Sequence, residues 1–189
     1  RDGFVTITFE DYKVYGDTFT RTTPTNLSYT GAWLAGVSTE KYALFSGGYN
    51  GNLLNTVNAY SASLTRTIPT ALSVARSALA GASVGDYALF AGGDTGSTYH
   101  STVDAYDTDL TRTTPTALSA ARHGLAGASV GEHALFAGGY NGSYPAVVDA
   151  YDTDLIHTTP AALSTGRSGL AGASVGDYAL FAGGYTGSA

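Results

Sequence analysis

The chain has 189 residues, 43% of them apolar and 13% charged, which is too apolar for a disordered segment and long enough to bury a core as a single domain. Its net charge of -6, two lysines (Lys13 and Lys41) and scattered arginines argue against nucleic acid as a partner, because phosphate contacts require a basic stripe. They argue equally against a polybasic membrane surface. No membrane insertion is expected, since no apolar run nears the roughly 18–20 residues of a span, and no disulfide or thiolate metal site is possible without cysteine.

In chain order, the N-terminal residue is Arg1 rather than methionine and no signal-peptide layout follows. We therefore expect the chain to be part of a larger polypeptide or assembly. The stretch FVTITFE at 4–10 stands outside everything that follows, and reads as an N-terminal boundary. From Asp11 onward two blocks recur. YALFSGGY at 42–49 returns as YALFAGGD at 87–94, HALFAGGY at 133–140 and YALFAGGY at 178–185. FTRTTPTNLS at 19–28 returns as LTRTIPTALS at 64–73, LTRTTPTALS at 110–119 and LIHTTPAALS at 155–164. Tyr15, Tyr60, Tyr106 and Tyr151 form an in-phase column, as do Pro24, Pro69, Pro115 and Pro160.

A period of 45 or 46 residues, with turn signals every 8–12 residues, implies four short strands per unit and a propeller blade. In the second full unit, strand A is expected at Ala78–Val84, with a turn at Gly85-Asp86, and strand B at Tyr87–Ala91, closed by Gly92-Gly93. Strand C is expected at Thr102–Tyr106, and strand D at Asp109–Thr113, stopped by Pro115. Asn-Gly at 50–51 and 141–142 suits tight turns. Proline, which cannot donate to a ladder, suits the outer edge. The small residues of LAGAS suit inner strands crowded around one axis.

The expected fold class is therefore all-β, a β-propeller of four-stranded antiparallel blades. One propeller spans 1–189, with strands C and D of the closing blade in 1–24. Blades follow at 25–69, 70–115 and 116–160, and strands A and B of the closing blade fall in 161–189. Joining the two ends in one sheet, a velcro closure, gives a four-bladed ring. Half of a larger ring, and two copies closing an eight-bladed one, are the alternatives.

The diglycines at 47–48, 92–93, 138–139 and 183–184, the tyrosine column and the Ala-Arg before strand A (Arg76, Arg122; Arg167 follows glycine) resemble the kelch repeat. The resemblance runs from about Asp11 to Tyr185, and it implies a propeller that serves as a binding platform more often than as an enzyme. The kelch tryptophan is missing. Leu64, Leu110, Leu155 and Phe19 take a similar place, and the single tryptophan, Trp33, lies elsewhere.

No catalytic residue, metal site or cofactor is expected. The copper-radical oxidase chemistry of some propellers needs a cysteine, and the sialidase-type Ser-x-Asp-x-Gly-x-x-Trp boxes do not occur. His100, His123, His133 and His157 occupy four different repeat positions. Asp107-Thr-Asp109 and Asp152-Thr-Asp154 lack the third carboxylate and glycine of a calcium loop, and read as Asp-capped turns.

The A–B turns repeat as SVGD or SVGE while the B–C loops vary, and loops varying on a fixed scaffold make binding surfaces. The candidate ligand-binding set is Trp33, Tyr49, Arg76, Tyr99, His100, Arg122, Tyr140, Tyr144 and Arg167, with Asp94 on the same loops. Aromatic rings beside arginine suit sugar rings or peptide anchors. The competing reading has the arginines bonding neighbouring blade carbonyls and the tyrosines packing between blades. The expected function is a non-catalytic binding or adhesion module for a glycan or protein, outside the cell, on its surface or on a virion. A structural block of a bacterial surface or phage virion protein is the alternative, and an enzyme domain is third.

Overall fold

The computed structural model describes residues 24–187 throughout, and the strands at 5–8 and 13–16 by their backbone. Those two, β1 (Val5–Thr8) and β2 (Lys13–Gly16), pair with each other as an antiparallel hairpin. Three complete four-stranded blades follow. The first is β3 (Ala35–Ser38), β4 (Tyr42–Ser46), β5 (Val57–Ser61) and β6 (Arg66–Thr67); the second is β7 (Ala80–Val84), β8 (Tyr87–Ala91), β9 (Val103–Tyr106) and β10 (Arg112–Thr113). The third is β11 (Ala126–Val130), β12 (His133–Ala137), β13 (Val148–Tyr151) and β14 (His157–Thr158). Last come β15 (Ser168–Val175) and β16 (Tyr178–Tyr185), a two-stranded sheet. Each blade is an antiparallel meander in sequence order, and no helix occurs among the described residues. This is the all-β propeller architecture.

Local chemistry explains most boundaries. Strand B ends where the diglycine takes positive φ, +68° at Gly92 and +114° at Gly93, values costly for any residue with a Cβ. Strand D is shorter than expected, two residues in each complete blade. Leu64, Leu110 and Leu155 adopt φ near +60° in the C–D turn, which delays the ladder. That turn is capped as the sequence suggests: Asp107 Oδ1 accepts the N–H groups of Asp109 and Thr111, both at 2.9 Å, and Asp152 does the same one blade on. Strand A also starts late, at Ala80, because Ala78 is left-handed (φ +52°).

The inner strands stand in a row, β3 against β7, β7 against β11 and β11 against β15. A Cβ on Gly81 would collide with the Gly36 carbonyl, one on Gly127 with that of Gly81, and one on Gly172 with that of Gly127. Small residues are thus required by backbone approach along the axis. The core lies between blades. Leu44 and Val57 of the first blade share one cluster with Leu72, Phe90 and Tyr106 of the second, and Leu89 and Val103 of the second share another with Leu118, Phe136 and Tyr151 of the third.

The velcro closure expected from strand counting is not formed by the described strands. β2 pairs with β1 rather than β16, and β15 and β16 pair only with each other. Of the strands C and D expected within about 11–22, all but 13–16 lies outside the described residues. No packing comparable to the other inner-strand contacts joins β15 back to β3. Among the described residues, a Cβ on Gly36 would meet only Phe45 and Leu44 of its own blade. The described blades therefore form an open arc. Inner-strand spacing and blade curvature, which set whether four blades meet, are not properties of any one repeat.

Candidate functional site

The end of the arc that carries the B–C loops is held by hydrogen bonds from blade to blade. Gly48, Gly93 and Gly139 each donate N–H to the carbonyl of the arginine that precedes the next strand A, at 2.8–2.9 Å. A second ladder runs through one repeat position: Ala78 N–H bonds to Trp33 O, Gly124 N–H to Ala78 O and Gly169 N–H to Gly124 O. All four residues of that position have positive φ, +57° at Trp33, +52° at Ala78, +62° at Gly124 and +65° at Gly169. Glycine and alanine meet the requirement at little or moderate cost. A tryptophan there is an outlier, and bulky residues held in left-handed conformations concentrate at functional sites.

Trp33 is 66% exposed, and its ring lies 6.3 Å from that of Tyr49. The two rings form one wall of a cleft of about 540 Å³, with Asn52, Ser77, Asp94 and Thr95 among the polar groups around it. An adjoining hollow of about 280 Å³ shares Trp33, Ser77 and Asp94, and reaches His123. The cleft opens where Asp94 replaces the tyrosine found in the other repeats (Tyr49, Tyr140, Tyr185). Asp94 Oδ1 accepts Gly96 N–H at 2.6 Å, which fixes the carboxylate on its loop.

Beyond the cleft the aromatics continue. Tyr99 stacks on His123 at 5.0 Å, and Tyr140 meets both edge-on at 5.9 and 5.8 Å. Tyr144 follows at 5.1 Å from Tyr140, and Tyr185 at 5.4 Å from Tyr144. The structure thus gathers five members of the sequence-derived set, Trp33, Tyr49, Tyr99, Tyr140 and Tyr144, on one end.

The arginines do not join them. Arg76 and Arg122 are fully buried within their own blades. Arg76 Nε bonds the Gly92 carbonyl at 2.7 Å and its Nη1 pairs with Asp104 at 2.9 Å; Arg122 Nε bonds the Gly138 carbonyl at 2.7 Å and its Nη2 pairs with Asp149 at 2.5 Å. Desolvation lowers the pKa of Arg76, opposed by the neighbouring carboxylate. Asp149 is held below the ordinary aspartate range: burial pushes it up, but the Ser119 N–H, Arg122 and His157 outweigh burial. Both arginines are posts inside the blade rather than ligand contacts. The carbonyls they bind belong to their own blade, not a neighbouring one.

His100 is only partly exposed, and its buried Nε2 has no partner among the described residues. Burial, then Arg76, lowers its pKa, so it is neutral at physiological pH. Arg167 is partly exposed and bonds the Gly183 carbonyl at 2.7 Å. Sequence reasoning passed over Asn52, Ser77 and Thr95. The available signal was Asp94 breaking a tyrosine column, which marks the blade whose neighbours line the opening.

A propeller with one end built from variable loops over a bonded scaffold points to a binding or interaction module. No family model and no curated protein matches the chain. Among solved structures it is similar to YjhT, a β-propeller, with a TM-score of 0.69 at 14% sequence identity. The match covers 85% of this chain, and the chain spans 63% of that one. A likeness of this kind carries the fold.

Proposed function

We propose that the chain is a non-catalytic module that binds a carbohydrate in the Trp33–Asp94 cleft. The observation that carries this reading is Trp33 itself, an exposed ring held at φ +57° where other repeats have alanine or glycine. An exposed indole offers a flat apolar face to the C–H side of a pyranose. The Asp94 carboxylate, the Asn52 amide and the Ser77 and Thr95 hydroxyls supply acceptors and donors for sugar hydroxyls. Among the described residues Asp94 is the only carboxylate lining the cleft, whereas glycoside hydrolysis uses a pair about 5–10 Å apart, so binding fits better than turnover. We also read the repeat as a divergent kelch-like one. Leu110 and Leu155, which pack against the inter-blade cores, support that by filling the place of the missing tryptophan.

A glycan array tests the reading. The chain is expected to retain a restricted set of oligosaccharides, and Trp33→Ala to lower that signal about tenfold or more with an unchanged folded spectrum. Equal binding by the variant, or none by the parent chain, would refute it.

A further inference from the structure

The aromatic surface does not stop at the Trp33 cleft, and the repeat itself lays it out. Tyr49, Asp94 and Tyr140 stand at one repeat position, directly after the diglycine. Each is clamped by backbone bonds to a residue ahead of strand A. Tyr49 N–H bonds to Ala32 O, Asp94 N–H to Ser77 O and Tyr140 N–H to His123 O, at 2.8–2.9 Å. The paired backbones fix where each side chain leaves the scaffold, so one position recurs blade after blade at the same end.

The two hollows connect these positions. The cleft of about 540 Å³ holds Trp33, Tyr49 and Asp94, and its neighbour of about 280 Å³ shares Trp33 and Asp94 and ends at His123. His123 stacks on Tyr99 and meets Tyr140 edge-on, and Tyr140 leads to Tyr144 at 5.1 Å. All four of these rings keep part of their surface exposed. A path of rings thus runs from the first blade, past the loops of the second, to those of the third. Among the described residues no lysine or arginine lines either hollow. Arg76 and Arg122, at the same end, are taken up by Asp104 and Asp149. An acidic sugar would therefore meet the Asp94 carboxylate with no cation to offset it.

We propose that the chain binds a linear, neutral oligosaccharide of several units, laid from the Trp33 cleft past Asp94 to Tyr140 and Tyr144. This rests on the carbohydrate reading of the cleft and adds length, course and charge to it. A surface that repeats once per blade suits a ligand that repeats along its own chain. One sugar engages Trp33. Later sugars reach His123 and Tyr140 already tethered, at high effective concentration, so each added contact raises affinity.

The probes are linear series from disaccharide to hexasaccharide, built of glucose, mannose, galactose or N-acetylglucosamine, beside uronic-acid series of equal length, titrated by calorimetry. In a neutral series that binds, the hexasaccharide is expected to bind about tenfold or more tighter than the disaccharide. Tyr140→Ala should flatten that dependence on length, whereas Trp33→Ala should weaken every length. A variant that is merely less stable would lower the bound fraction at all lengths and leave the dependence intact. Equal affinity at every length, a length dependence untouched by Tyr140→Ala, or uronic-acid chains bound as tightly as neutral ones overturns the proposal and leaves the Trp33 cleft its ligand. Binding by none of the neutral series also overturns it, and the glycan array then shows whether the carbohydrate reading itself still stands.

Discussion

Trp33 and the buried Arg–Asp pairs show two opposite uses of a polar or bulky residue in a repeat. Trp33 gains little from burial and costs strain, since a non-glycine residue in the left-handed region loses roughly 1–2 kcal/mol relative to a relaxed one. Trp33→Gly should therefore raise the stability of the chain, by about 1 kcal/mol in a denaturant titration, while removing ligand binding. A loss of stability would mean that the ring serves packing instead. The Asp149–Arg122 pair works the other way. Removing one partner strands a buried charge, so Asp149→Asn should cost about 3 kcal/mol at neutral pH. The folded pKa of Asp149 lies below its unfolded value, so its contribution is complete above about pH 4 and is lost as pH falls through the folded value. The stability difference between parent and Asp149→Asn should accordingly shrink on acidification below pH 4, as read from unfolding curves at successive pH values. A difference constant down to pH 2 would contradict this.

At the scale of the element, the inner strands are where sequence and structure agree most closely. LAGAS was legible as an axial strand because only small residues allow neighbouring backbones to touch, and the glycines of that column do meet the preceding blade's carbonyls. Gly127→Ala should destabilise by about 1–3 kcal/mol, the usual cost of overpacking, measured by thermal unfolding. The control is Gly131, where an added Cβ meets nothing within 4 Å and only the φ of +52° is felt. If Gly127→Ala proved no worse than Gly131→Ala, the axial contact would not matter. The diglycines and the Asp-capped turns were legible for a similar reason: each is a local backbone requirement met by one residue type. The arginine column misled because position in the repeat placed it at the loop end, while its burial depends on a partner some thirty residues away. The in-phase aspartates, and the joint loss in the first blade of the arginine (Gly31) and the aspartate (Asn58), were the signal for that pairing. The Trp33 conformation had no such signal beyond alanine and glycine occupying the same position elsewhere.

For the whole molecule, the repeat period sufficed for the propeller class but not for closure, because small rotations between blades accumulate and decide whether the arc meets itself. The described blades leave one end open at β16 and place the aromatic cleft near the first two blades. The central claim, that ligand binds against Trp33, is tested most directly through the chain's single tryptophan. Titrating an array-positive oligosaccharide while following indole fluorescence should give a saturable change whose midpoint equals the calorimetric Kd. Binding seen by calorimetry with no change in tryptophan emission would contradict the account.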